Sequence, residues 1–82
     1  MTEAEFRAEL THAQLMRNEA DDLFVACYWL GFEWGVCRRF HGANFGAVAQ
    51  HKWRTLIVDH PNGFAKAVGM GYRDGLAGKM SP

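Results

Sequence analysis

The chain predicts an all-α fold of four helices, about 3–17, 19–41, 47–59 and 63–77, packed around the second. Three observations predict it. Apolar residues recur at helical spacing in each segment. Glycine-rich or Pro-containing breaks, His41–Gly46 and His60–Gly63, separate the segments in the second half of the chain. The stretch from Leu23 to Gly42 is apolar on nearly every side, with Glu33 the one charge between Leu23 and Cys37.

The first helix begins at a capping box, Thr2 with Glu5, and carries Phe6, Leu10, Ala13 and Met16 on one face. Arg17–Asn18–Glu19 is the joint, with Asn18 as the N-cap of the second helix and Glu19, Asp21 and Asp22 near its positive end. The second helix shows two apolar stripes: Leu23, Cys27, Leu30, Trp34 and Cys37, and Phe24, Tyr28, Phe32 and Val36. Two stripes call for two covers, one from the same chain and one from a second chain. Arg38, Arg39 and His41 suit its negative end, and Gly42 suits its stop. Phe45 folds the following loop back on the core. The third helix places Ala49, Trp53, Leu56 and Ile57 on one face as its packing side. Pro61 ends that segment, and Asn62 caps a fourth, glycine-rich helix that needs packing to hold it. Lys79–Pro82 reads as a frayed tail.

Glycine inside a helix costs about 1 kcal/mol relative to alanine, so Gly31 and Gly35 need a reason. At spacing four they form a face on which another helix can approach closely, within the chain or between chains. The segment from Leu30 to Val36 is echoed by Met70 to Leu76: apolar, Gly, aromatic, two variable residues, Gly, aliphatic. Either Gly31 and Gly35 cross Gly71 and Gly75 at close range, with Phe32 and Tyr72 flanking the crossing, or the echo is a chance similarity of short helical segments.

A chain of 82 residues is one domain, 1–82. A domain of this size buries only about 60% of its unfolded surface. Hydrophobic residues make up 49% of it and aromatics 13%, more than one small core hides. Leftover apolar surface marks an interface, so a homodimer or a partner protein is expected. Tyr28, Trp29, Phe32 and Trp34 are the expected anchors, with Arg38, Arg39 and His41 as a polar rim. Net charge is zero but segregated: residues 1–22 carry six acids against two bases, and residues 23–82 carry seven bases against three acids. A neutral total argues against a dedicated nucleic-acid binder. The group Arg38, Arg39, His51, Lys52 and Arg54 is nevertheless a candidate basic patch for phosphate.

No run is long and uncharged enough for a membrane span, and no signal-peptide pattern appears. Cys27 and Cys37 are ten residues apart on one helix, about 15 Å, beyond disulfide reach. Free structural thiols fit a reducing compartment, with cytoplasm as the default. Cys37, His41 and His51 lack a fourth ligand and any CxxC spacing, so no metal or cofactor is expected. A Cys37–His41 nucleophile is disfavoured by the negative helix end, and the chain is not expected to be an enzyme. Glu33 either faces solvent or is buried, in which case Arg73, at the matching position of the echo, is the candidate partner.

Two resemblances follow from these residues. The segment Gly71-Tyr72-Arg73-Asp74-Gly75-Leu76-Ala77-Gly78-Lys79 resembles the glycine–tyrosine motif of ribosome modulation factor, which implies ribosome or RNA association; that family's basic continuation is missing. The wider pattern over residues 28–78 is a Gly-aromatic helix ending in Arg38-Arg39-Phe40-His41-Gly42. Asn44-Phe45-Gly46 follows, then a His51-Lys52-Trp53 helix, then the same terminal segment. It is similar to small bacterial proteins of the QslA-type quorum-sensing anti-activators. That resemblance implies a helical, dimeric protein that sequesters a transcription factor. The expected function is stoichiometric inhibition or regulation by protein binding, as an anti-activator or as a phage-encoded inhibitor of a host complex.

Overall fold

The computed structural model describes residues 1–79, and the tail beyond Lys79 lies outside the described residues. Four helices form: α1 (Glu3–Glu19), α2 (Leu23–His41), α3 (Val48–Leu56) and α4 (Gly63–Ala77). A 3-10 turn, Gly42–Asn44, follows α2, and a second, Ile57–Asp59, follows α3. The fold is all-α, as its periodicity predicts.

The helix ends follow local chemistry. Thr2 Oγ1 accepts from the Glu5 amide and donates to the Glu5 carboxylate, both at 3.1 Å. Asn62 Oδ1 accepts from the amides of Phe64 and Ala65. Gly42 ends α2 at φ +62, in the region that favours glycine. One expected cap is corrected. Asn18 lies within α1, and Asp22 caps α2 by accepting from the Phe24 amide at 2.7 Å. Carrying α1 two residues further, to Glu19, places Arg17 inside the helix, where it reaches Glu33 of α2.

α2 packs most heavily on α4, and α1 lies against α2. The α2–α4 contact is made by glycine. A β-carbon on Gly31 would collide with the Val68 carbonyl oxygen and stand 3.0 Å from the Tyr72 nitrogen. One on Gly71 would collide with the Tyr28 carbonyl oxygen and stand 2.9 Å from the Phe32 nitrogen. Gly35 meets Tyr72 and Leu76 in the same way that Gly75 meets Phe32 and Val36. Each pair maps onto the other by the offset that relates Gly31 to Gly71, so the sequence echo is the trace of a pseudo-symmetric crossing. Positions on the two helices rise together, which makes α2 and α4 run in the same direction. Glycine Cα–H groups aimed at facing carbonyls are a recurrent helix–helix contact.

Both stripes of α2 meet elements of this chain. Ala13, Trp29, Phe32 and Val36 form the core, with Phe6, Met16 and Tyr28 packed around it. Phe6 stacks on Phe40, and His12 meets the edge of Trp29. Tyr72 is fully buried on the α4 side. Arg54 of α3 reaches Trp34 on the other stripe. The first turn of α2 stays outside this packing, with Leu23 62%, Phe24 48% and Val25 42% exposed. The accessible surface, 5041 Å², matches the value of about 5,000 Å² expected of a folded 9.3 kDa monomer.

Gly31→Ala or Gly71→Ala is expected to cost about 3 kcal/mol, at the upper end for overpacking, because the obstacle is backbone. Gly63→Ala meets only the movable edge of the Phe24 ring, 2.7 Å from the built β-carbon, and is expected to stay within about 0.5 kcal/mol of the parent. Urea unfolding followed by circular dichroism checks both.

Candidate functional site

Among the described residues, large apolar side chains stay exposed at the N-terminal ends of α2 and α4, at Leu23, Phe24, Val25 and Phe64, and on α3, whose sidedness reverses the expected one. His51, Arg54 and the following Ile57 point inward, while Ala49, Lys52, Trp53 and Leu56 point out. Val48 is 75% exposed, Leu56 64% and Trp53 53%. Of the expected packing face Ala49–Trp53–Leu56–Ile57, only Ile57 is buried. The helix presents its apolar side to solvent.

Polar and aromatic contacts hold it in that orientation. His51 Nδ1 lies 2.6 Å from the hydroxyl of buried Tyr72. The Arg54 guanidinium stacks over the Trp34 ring, 4.3 Å from its centroid, and lies within 5.7 Å of the Phe45 and Tyr72 ring centroids. Cation–aromatic contacts of this kind contribute about 0.5–2 kcal/mol, more when desolvated. Arg38 donates to the Phe45 carbonyl at 3.0 Å, which pins the loop leading into α3. Gly69 lets the turn after α3 approach α4, since a β-carbon there would stand 2.6 Å from the Val58 nitrogen. Burial pushes the Tyr72 hydroxyl pKa upward, against the opposing pull of Arg38 and Arg54. Tyr72 therefore remains a neutral hydroxyl opposite His51.

The expected partner anchors on α2 fall elsewhere. Trp29 is 4% exposed and Phe32 is fully buried, because α1 and α4 cover the sides of α2 that carry them. Neither offers a surface anchor in this fold. Tyr28 is half-buried and donates to Asp74 Oδ2 at 2.6 Å. Trp34 is half-buried beneath Arg54. Arg39 is paired with Glu9, and Arg38 is committed to Phe45, so neither forms a free rim. His41 is exposed, with the rings of Phe6 and Phe40 beside it. Of the candidate basic patch only Lys52 is exposed, while Arg38, Arg39, His51 and Arg54 are half-buried.

Glu33 is buried, at 8% exposure, and not solvent-facing. Its partner is Arg17, whose Nε lies 3.1 Å from Oε2, and not Arg73, which is exposed beside Asp74. Burial raises the Glu33 pKa, and Arg17 and Gln14 pull it partly back. Burial also raises the Cys37 thiol pKa, with Glu33 adding to the effect and Arg54 opposing it, so a thiolate there is disfavoured. Among the described residues no cluster of three or more His, Cys, Asp or Glu is placed to hold a metal. Among them, too, no helix is long and apolar enough to cross a membrane.

Tyr72→Phe removes the partner of His51 Nδ1 and is expected to cost about 1 kcal/mol. Amide exchange should accelerate more in α3 than in α1, as hydrogen-exchange mass spectrometry would show. The Glu33 shift gives a second expectation. A carboxyl whose folded pKa is raised holds its proton more tightly in the fold, so its contribution declines as pH rises from the ordinary value through the raised one. The stability of the parent relative to Glu33→Gln should therefore be greater below that window than above it, as measured by thermal unfolding between about pH 4 and 8. In comparisons with known proteins, no family model, no curated protein and no solved structure matches this chain.

Proposed function

We propose that this protein is a small regulatory or inhibitory protein that acts by stoichiometric binding of another protein, and that the outward face of α3 is the contact. The observation that carries this reading is the reversed amphipathicity of α3. A nine-residue helix turns His51 and Arg54 inward and leaves Val48, Trp53 and Leu56 in water. Exposed tryptophan on a rigid element is the kind of group that dominates interface energies. The Arg54 and His51 contacts fix its orientation in advance, which lowers the ordering cost of binding. An anti-activator of a transcription factor, as in the QslA-type resemblance, or a phage-encoded inhibitor of a host complex fits this mode of action. So does a cytoplasmic location.

The competing reading is RNA or ribosome association. It loses support from the dispersal of the basic side chains into internal contacts. The discriminating experiment immobilises the parent protein and its Trp53→Ser variant and passes lysate of the source cells, with and without nuclease treatment, over both. The expected outcome is one protein retained in stoichiometric amount at high salt by the parent and lost with Trp53→Ser. Retention that collapses steeply with salt or nuclease contradicts it and indicates phosphate contacts.

A further inference from the structure

Exposed charge is sorted across this fold. On the side of α1 and the joint after it, Glu3, Glu5, Glu19, Asp21 and Asp22 are exposed, and the exposed base there, Arg7, is already paired with Glu3. On the side of α3 and α4 the exposed bases are Lys52, Lys66, Arg73 and Lys79, against Asp59 in the turn after α3. Asp74 is half-buried and accepts from Tyr28. α1 packs on α2 while α3 packs on α4, so the two sets stand apart.

The bases border the apolar face of α3. Lys52 lies within it, one turn from Val48 and one from Leu56. Lys66 and Arg73 stand three residues before and four after Gly69, so they share its side of α4. Gly69 is where the turn after α3 touches α4. Met70, one turn from Lys66, is exposed as well. Among the described residues neither Lys52 nor Lys66 has an ion-pair partner, since the pairs are Arg7–Glu3, Arg17–Glu33, Arg39–Glu9 and Arg73–Asp74. The apolar patch at the N-terminal ends of α2 and α4 is different. Phe24 and Phe64 stack on one another there, and Asp21 and Asp22 lead into it.

We propose that the α3 face takes a protein surface that is apolar at its centre and acidic at its rim. Trp53 and Leu56 meet the centre, and Lys52 and Lys66 meet the carboxylates. Rim charges act mainly on the association rate. Their reach is about one Debye length, about 8 Å at physiological salt, so affinity stays with the apolar centre. The exposed acids of the α1 side repel the same partner, which steers it to α3. A nucleic acid or an anionic membrane fits less well, because phosphate binding draws on many basic contacts and here a few cations surround an apolar helix face. This deepens the proposed function and rests on that reading.

The test uses defined probes and amide chemical shifts. One probe is a helical peptide of Leu and Glu, about 15 residues long so that it can hold a helix. The second has Lys in place of every Glu. The others are a single-stranded RNA and phosphatidylglycerol vesicles. The acidic peptide should shift Lys52, Trp53, Leu56, Lys66 and Met70 and leave α1 unmoved. The Lys peptide should bind at least about tenfold more weakly. Lys52→Glu combined with Lys66→Glu should reverse that preference with helix content unchanged, an exchange that a folding defect would not produce. No binding of the acidic peptide, equal or tighter binding of the Lys peptide, shifts centred elsewhere, or tighter binding of RNA or vesicles each overturns the proposal. Lysate capture that is lost with Trp53→Ser but indifferent to the paired Lys→Glu changes would overturn it too, and would leave the proposed function standing.

Discussion

The close backbone contact of α2 with α4 is the constraint from which the other features follow. Four glycines remove the side chains that would hold two helices at the usual separation of about 8–10 Å. With carbonyls and amides of one helix set against the Cα atoms of the other, Gly31, Gly35, Gly71 and Gly75 leave no room for any other residue. The glycines weaken each helix on its own, and packing is what compensates. Phe32 and Tyr72 then fill the volume on either side of the crossing and are fully buried.

Direction is the second consequence. Since α2 and α4 run the same way, the chain leaving α2 must return nearly the length of α4 before it can enter it. Fifteen helical residues span about 22 Å. The nine residues of α3 cover part of that return, with a 3-10 turn at each end of the crossover. α3 is thus a strut laid along α4. Its inward contacts are a histidine on a tyrosine hydroxyl and a guanidinium on a tryptophan face, and its apolar side is left in water. The same arrangement frees α1 to close the other side of α2, where Ala13, Phe6 and Met16 complete the core around Trp29. Arg17 crosses with it to neutralise Glu33, a carboxylate whose burial would otherwise be costly.

Much of the architecture was legible in the sequence. The number of helices, the caps at Thr2 and Asn62, the stop at Gly42 and the glycine crossing all rest on local chemistry or on a spacing that has few structural solutions. The location of the leftover apolar surface was not legible, and the reason is physical. Periodicity on α3 defines an apolar face but not which way that face turns. That choice was made by His51 and Arg54, whose inward contacts depend on Tyr72 and Trp34, 21 and 20 positions away in sequence. The partner of Glu33 was missed for a related reason. The echo suggested Arg73, yet the helix that covers Glu33 is α1, which belongs to neither half of the echo. The burial of Trp29 follows from the same helix, whose modest apolar stripe understated how much of α2 it covers.

The glycine faces are consumed inside the chain, in a parallel crossing, and that claim is open to one direct measurement. Nuclear Overhauser contacts from the Gly31 Hα atoms should reach Val68 and Tyr72, and those from Gly71 should reach Tyr28 and Phe32, in a dilute sample labelled so that intermolecular contacts are filtered out. Contacts in that rising register are the predicted result. Their absence, their restriction to the intermolecular spectrum, or a register that falls along α4 as it rises along α2 would contradict the account.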